Sequence, residues 1–245
     1  MSFEHIQSTH HGAILYDASV LRNPHAPLFE RAYWMQQGVL QEVAGGRGSV
    51  CFLHTGAGNW VLRHYRRGGL AAKVSGDKYW WSGQERTRSF LEWRLLARLH
   101  SMGLPVPAPV AAGYVRSSLW YSADLITQEI PHSRTLADAI TGASLPQSGW
   151  HDIGRVIGRF HCHGVQHADL NAHNILLTSA AEASVYLIDF DRGRIRARGS
   201  WEQLVLARLK RSLEKVCRQR AQVNFGPEQW AWLLQGWSQG LRRDA

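Results

Sequence analysis

The residues best suited to chemistry lie in two short segments. His167-Ala168-Asp169-Leu170-Asn171-Ala172-His173-Asn174 is followed, after an apolar stretch, by Asp189-Phe190-Asp191. Phosphoryl transfer needs a carboxylate that orients and deprotonates an attacking hydroxyl. It also needs hard oxygen ligands that hold Mg²⁺ on nucleotide phosphates. Asp169 is placed for the first task, and Asn174 and Asp189 for the second. A lone His-x-Asp is common and carries little weight. The full spacing, H-x-D-x-x-x-x-N with Asp-Phe beyond an apolar run, is far more specific.

Those residues need elements that hold them. Ile175-Leu176-Leu177 predicts a short buried strand leaving the loop, and Val185-Tyr186-Leu187-Ile188 its hairpin partner, delivering Asp189 at its end. Upstream, Trp150 to His163 predicts a helix with Ile153, Val156, Ile157 and Phe160 inward. Histidines at 161, 163, 167 and 173 raise the possibility of zinc, but only one cysteine lies among them and the ligand spacing is poor. The better reading packs His161 at the helix end and His167 under the loop, where it holds the loop backbone.

Further upstream, residues 1 to about 40 are a lead-in with a short helix bearing Phe29, Tyr33, Trp34 and Gln37 on one face. Val39 to Tyr65 turns to strands around Gly45-Gly46-Arg47-Gly48-Ser49. Glycine there lets backbone N–H groups approach phosphate oxygens without a Cβ in the way. Ser89 to Met102 is a helix with an apolar stripe (Phe90, Trp93, Leu95, Leu96, Leu99, Met102), stopped by Gly103 and the prolines at 105, 107 and 109. Glu92 sits inside it. Tyr121 to Ile130 is a strand ending at Glu129, where a hinge would offer backbone groups to an adenine ring. Residues 200 to 220 form a basic amphipathic helix with Trp201, Leu204, Val205, Leu209, Leu213, Val216 and Cys217 on one face. Pro227 to Leu241 is a tryptophan-rich helix.

Composition bounds the class. The 245 residues are 44% hydrophobic and 19% charged, as in a globular protein large enough for two lobes. No stretch is long and apolar enough for a membrane span, and the first 25 residues lack the apolar core of a signal peptide. Three scattered cysteines, Cys51, Cys162 and Cys217, suggest a reducing compartment. The net charge of +9 comes from 24 Arg and only 4 Lys. Such an excess favours anionic partners. No nucleic-acid motif accompanies it, so nucleic acid is not expected.

The chain resembles the 3-deoxy-D-manno-octulosonic acid (Kdo) kinases, lipopolysaccharide-core sugar kinases of Gram-negative bacteria. The resemblance rests on Arg63-His64-Tyr65-Arg66-Arg67-Gly68-Gly69-Leu70, Leu104-Pro105-Val106-Pro107-Ala108-Pro109, Asp169 through Leu177, and Asp189-Phe190-Asp191. It runs from about residue 45 to 215. It implies an α+β, protein-kinase-like two-lobed fold: a strand-rich N-lobe over 1–130 and a helical C-lobe over 131–245. It implies transfer of the ATP γ-phosphate to the 4-hydroxyl of a Kdo residue on a lipid A precursor. The implied roles are Asp169 as base, Asn174 and Asp189 as Mg²⁺ ligands, Gly45, Gly46, Gly48 and Ser49 over the phosphates, and Glu92 steadying the nucleotide-contacting cation. Glu129 falls at the hinge. The implied location is cytoplasmic, peripheral on the inner membrane, whose anionic surface the Arg66-Arg67 pair and the 200–220 helix would meet.

Two departures from ordinary protein kinases matter. No lysine lies between residues 1 and 72, so Arg63 takes the place of the strand-three lysine. Lys73 and Lys78 are the alternatives. After Asp191 the chain passes through Arg192, Arg194, Arg196 and Arg198 directly into the 200–220 helix. No Ala-Pro-Glu and no long activation segment intervene, which argues against a peptide acceptor. The arginines suit an acceptor bearing carboxylate and phosphate. The competing expectations are another small-molecule or atypical serine kinase of the same fold, and a non-catalytic nucleotide-binding protein.

Overall fold

The computed structural model describes residues 4–41, 50–66, 77–142, 144–179 and 184–242. The turn holding Gly45, Gly46, Gly48 and Ser49 lies outside these residues, as does Lys73. The chain forms two compact units, one of Met1–Ser101 with Pro107–Glu129, the other of Met102–Val106 with Ile130–Ala245.

The first unit is built on an antiparallel sheet in the order β1-β2-β7-β8-β5-β4-β3. Its strands are β1 (Glu4–Thr9), β2 (Gly12–Asp17), β3 (Leu40–Gln41), β4 (Val50–Thr55), β5 (Gly58–His64), β7 (Pro109–Ser117) and β8 (Trp120–Gln128). A short β6 (Tyr79–Trp80) also pairs with β8. In β7 the residues from Pro109 to Tyr114 are all buried, as in a central strand covered on both faces. Helix α2 (Arg88–Ser101) packs on this strand through Phe90, Trp93, Leu96 and Leu99. The Ser89 hydroxyl donates to the Gly113 carbonyl at 2.9 Å. On the other side, Leu28 and Trp34 of the segment carrying α1 (Arg31–Gln36) join Leu53, Trp60, Leu62 and Ile126 in one core. The Trp34 indole N–H donates to the Leu28 carbonyl at 2.7 Å, so this large ring is buried without an orphaned donor.

Three expectations need correction here. The lead-in is not merely a short helix: residues 4–17 form the β1–β2 hairpin at the sheet edge. Residues 4–8 of β1 are all exposed, so no apolar alternation announced the strand. Strand β7 begins at Pro109, so this proline opens a strand as well as barring the helix; proline is tolerated as the first residue of a strand. Gln37 is exposed and stands outside the stripe formed with Trp34.

The second unit is mainly helical. It holds β9 (Ser133–Thr135), α3 (Leu136–Ala139), α4 (Gln147–Cys162), β10 (Val165–Gln166), β11 (Ile175–Thr178), β12 (Val185–Leu187), β13 (Arg194–Ile195), α5 (Trp201–Gln219) and α6 (Pro227–Gly240). Helices α4 and α6 meet through glycines: Gly154 and Gly158 on one, Gly236 and Gly240 on the other. A Cβ on Gly154 would stand 1.9 Å from the Leu233 carbonyl oxygen, and one on Gly236 would stand 2.0 Å from that of His151. Helix α5 buries Trp201, Val205, Leu209, Leu213 and Val216 as expected, but Leu204 is 68% exposed and does not join that face. Among the described residues no helix is long and apolar enough to cross a membrane.

Candidate active site

In the second unit, α4 ends at Cys162 and β10 leads into the loop 167–174. The hairpin β11–β12 follows, pairing Ile175 with Leu187 and Leu177 with Val185. The loop is pinned from below by His167, which is 3% exposed. Its Nδ1 accepts the Asp169 backbone N–H at 3.1 Å, and its Nε2 lies 2.9 Å from the Ile188 carbonyl. An acceptor at Nδ1 requires the proton at Nε2, so both bonds are made by the neutral ring. Burial is the largest influence on this histidine and pushes its pKa down, against the Ile188 carbonyl, which favours the charged form. The residue thus ties the backbone of Asp169 to that preceding Asp189.

Asn174 makes the second tie. Its Nδ2 donates to the Asp169 carbonyl at 3.0 Å, and its own carbonyl accepts from the Ile188 N–H at 3.0 Å. The amide orientation follows: oxygen facing that carbonyl would repel it. Oδ1 accepts no hydrogen bond from the described residues. Asn171 closes the turn, with Nδ2 on the Asp169 carbonyl at 2.9 Å and Oδ1 accepting from His173 N–H at 2.9 Å. Asp189 has φ +64°, an uncommon left-handed conformation for a non-glycine residue. Phe190 holds that turn: it is fully buried, stacked on Phe160 at 5.6 Å and beside the His167 ring at 4.6 Å.

The donor set offered by Asn174 and Asp189 is an amide oxygen and a carboxylate. Both are hard ligands, and neither is a thiolate or an imidazole. That chemistry fits Mg²⁺, which keeps most of its shell for water and phosphate.

Asp169 itself is half exposed, and its Oδ1 receives Arg208 of α5. Arg208 Nε donates at 2.7 Å and Nη2 lies 2.5 Å from the same oxygen. Among the described residues nothing donates to Oδ2. One turn on, Ser212 Oγ accepts the Ala172 N–H at 3.1 Å. Sequence reasoning missed both residues. In a basic amphipathic helix, one arginine among several on the polar face looks like any other. A signal existed: Asn171 stands where ordinary protein kinases carry lysine or arginine after Asp-Leu.

Past Asp191 the ribbon β10–β13 pairs Gln166 with Arg194. Arg194 Nε and Arg196 Nη1 both donate to Gln166 Oε1, at 3.0 and 3.3 Å. Arg198 is paired bidentately with Glu202, at 3.0 and 3.1 Å. Arg192, Arg194 and Arg196 form no ion pair among the described residues and are exposed.

In the first unit, Arg63 and Glu92 come together: Nη2 lies 2.6 Å from Glu92 Oε2, which also accepts the Tyr65 hydroxyl at 2.5 Å. Glu92 is almost wholly buried, and its Oε1 has no hydrogen-bond partner among the described residues. Glu129 stands apart from this pair. Its N–H donates to the Asn59 carbonyl at 2.9 Å, and its Oε2 lies 4.0 Å from His54 Nε2. Lys78 joins no ion pair among the described residues.

A profile of the lipopolysaccharide kinase (Kdo/WaaP) family matches residues 31–237. This chain belongs to that family. The 3-deoxy-D-manno-octulosonic acid kinase of Xylella fastidiosa strain 9a5c is 47% identical over 212 residues, 86% of this chain and 83% of that one. The kinase of the same name from Stenotrophomonas maltophilia strain R551-3 is also 47% identical, over 213 residues covering 86% of this chain and 83% of its own. A solved structure of WaaP in complex with acyl carrier protein superposes with a TM-score of 0.53 at 20% identity, covering 90% of this chain and 88% of that one. The α+β, protein-kinase-like fold expected from the resemblance is borne out.

His161, at the end of α4 in this kinase, supplies a testable pH dependence. Its Nδ1 accepts the Trp237 indole N–H at 3.0 Å, and burial pushes its pKa down to about 4. Between that value and 6.5 the unfolded chain binds a proton that the folded chain refuses, so stability rises with pH. About 3 kcal/mol is therefore expected to be lost as pH falls from 7 to 4. Urea midpoints measured across that range should show the slope in the wild type and a shallower one in His161→Gln.

Proposed function

We propose that this protein is an ATP-dependent Kdo kinase, transferring the γ-phosphate to the 4-hydroxyl of a Kdo residue on a lipid A precursor in lipopolysaccharide core assembly. The observation that carries the chemistry is Asp169. Its backbone is fixed by His167 and Asn174, and its Oδ2 is open to a hydroxyl. The relatives named Kdo kinases, matched over most of both chains, support the acceptor.

Asp169 orients the acceptor hydroxyl and takes its proton as the hydroxyl oxygen bonds to the γ-phosphorus. The bond from that phosphorus to the bridging oxygen breaks, and ADP leaves with the electron pair. Asn174 and Asp189 would hold Mg²⁺, which when bound offsets the charge of the phosphates. The family resemblance assigns the α/β-phosphates to Arg63, which Glu92 steadies, and their cover to Gly45, Gly46, Gly48 and Ser49. Glu129 contributes at the adenine end. Arg192, Arg194 and Arg196 receive the carboxylate and phosphate groups of the acceptor, because forked guanidinium groups bind both bidentately. A lipid acceptor would put the reaction at the cytoplasmic face of the inner membrane, with the exposed Arg66 against anionic headgroups.

The test combines labelled ATP, Mg²⁺ and Kdo-bearing lipid A precursor, with a Kdo methyl ester lipid and an aminoglycoside as rival acceptors. Label on the 4-oxygen of Kdo, and weaker transfer to the ester, is the expected result. Transfer to the cationic aminoglycoside alone would refute the reading.

A further inference from the structure

We propose that Arg208 of α5 is the positioning residue for Asp169, supplying from a distant helix the cation that ordinary protein kinases carry within the catalytic loop. This rests on the assignment of Asp169 as the base.

The geometry is specific. Both Nε and Nη2 of Arg208 converge on Oδ1, at 2.7 and 2.5 Å. The Nε hydrogen bond is directional, and with the Nη2 charge against the same atom it holds Oδ1 on the guanidinium. It leaves Oδ2 for the acceptor hydroxyl. The loop carries no lysine or arginine of its own, and Asn171 uses Nδ2 on the Asp169 carbonyl and Oδ1 on the His173 N–H. Arg208 and Ser212 are four residues apart, hence on one face of α5. Through them the helix touches the loop twice, at the Asp169 carboxylate and the Ala172 N–H. The buried face of Val205, Leu209 and Leu213 anchors the helix, so the guanidinium projects from a rigid element.

Magnitudes separate this role from a structural one. The side chains of Arg208 and Asp169 are 50% and 51% exposed. Ion pairs this open contribute little to folding. A misplaced reacting group, in contrast, lowers a rate by about 100-fold. Removing Arg208 is therefore expected to spare the fold and impair the chemistry.

The experiment measures kcat and the KM for ATP of the full chain, with Kdo-bearing lipid as acceptor, for wild type, Arg208→Ala, Arg208→Lys, Arg211→Ala and Asp169→Ala. Free guanidinium ion is added to Arg208→Ala as a chemical rescue. Arg211 is an exposed arginine on the same helix and controls for net charge. The expected result is a kcat about 100-fold lower in Arg208→Ala with KM for ATP within about twofold. Lysine should restore part of the loss, added guanidinium should raise the rate, and Arg211→Ala should match wild type. If Arg208→Ala keeps wild-type kcat while Asp169→Ala is inactive, the proposal fails and the base assignment stands. An equal loss in Arg211→Ala would also overturn it, reducing the effect to charge. Activity surviving in Asp169→Ala would instead refute the underlying reading of the base.

Discussion

Asp169→Asn is expected to lower kcat by about 10³-fold while leaving the KM for ATP within about twofold. Asparagine has the same shape but cannot take the acceptor proton. The backbone that holds this side chain should be undisturbed. His167 Nδ1 accepts the N–H of residue 169, and both Asn171 and Asn174 donate to its carbonyl. None of these bonds involves the carboxylate. The substitution removes only a half-exposed ion pair with Arg208, which contributes little to folding. Melting temperature should therefore stay close to that of the wild type. Initial rates against ATP concentration, beside a thermal melt, check both halves. A normal kcat, or unfolding that accounts for the drop in activity, would contradict the role.

Gly154→Ala is expected to destabilise the second unit by about 3 kcal/mol. The new Cβ would stand 1.9 Å from the Leu233 carbonyl oxygen and 2.7 Å from the Trp237 nitrogen. Both are backbone atoms of α6, so no rotamer relieves the overlap and the helices must part. The close approach is reciprocal, since a Cβ on Gly236 or Gly240 would meet the His151 or Arg155 carbonyl oxygen at 2.0 and 2.1 Å. Separating the pair also disturbs the Trp237–His161 hydrogen bond at 3.0 Å. Gly149 of the same helix is the control. Its Cβ would find nothing nearer than Pro146 Cδ at 3.7 Å. There alanine should stabilise, by about 0.5–1 kcal/mol, through the lower conformational entropy of the unfolded chain. Urea unfolding of the two variants should therefore shift in opposite directions.

These cases show what was legible in the sequence. The loop from His167 to Asn174 and the hairpin behind it are local in the chain, so spacing and apolar runs announced them. The pairing of Arg63 with Glu92 was anticipated as a cation steadied by a helix glutamate, yet Tyr65 on the same carboxylate oxygen was not. Strand β1 escaped because its side chains face water and leave no period to detect. Strand β7 is masked by Pro105, Pro107 and Pro109, whose local signal is helix termination. The α4 and α6 glycines carry meaning only once the opposite helix is in place. Arg208 was invisible for a related reason: its partner lies 39 residues upstream, and nothing local distinguishes it from Arg211. Contacts made by tertiary packing leave no short-range signature, and here they include the residue that grips the base.

A paired transfer assay tests Asp169 as the base, and Kdo as the acceptor, in one experiment. Purified wild type and Asp169→Asn are each incubated with γ-labelled ATP, Mg²⁺ and Kdo-bearing lipid A precursor, and label in the lipid is followed with time. Phosphorylated Kdo is expected with the wild type, and about 10³-fold slower accumulation with the variant. Equal labelling by both proteins, or ATP binding by the wild type with no label in the lipid, would contradict this expectation.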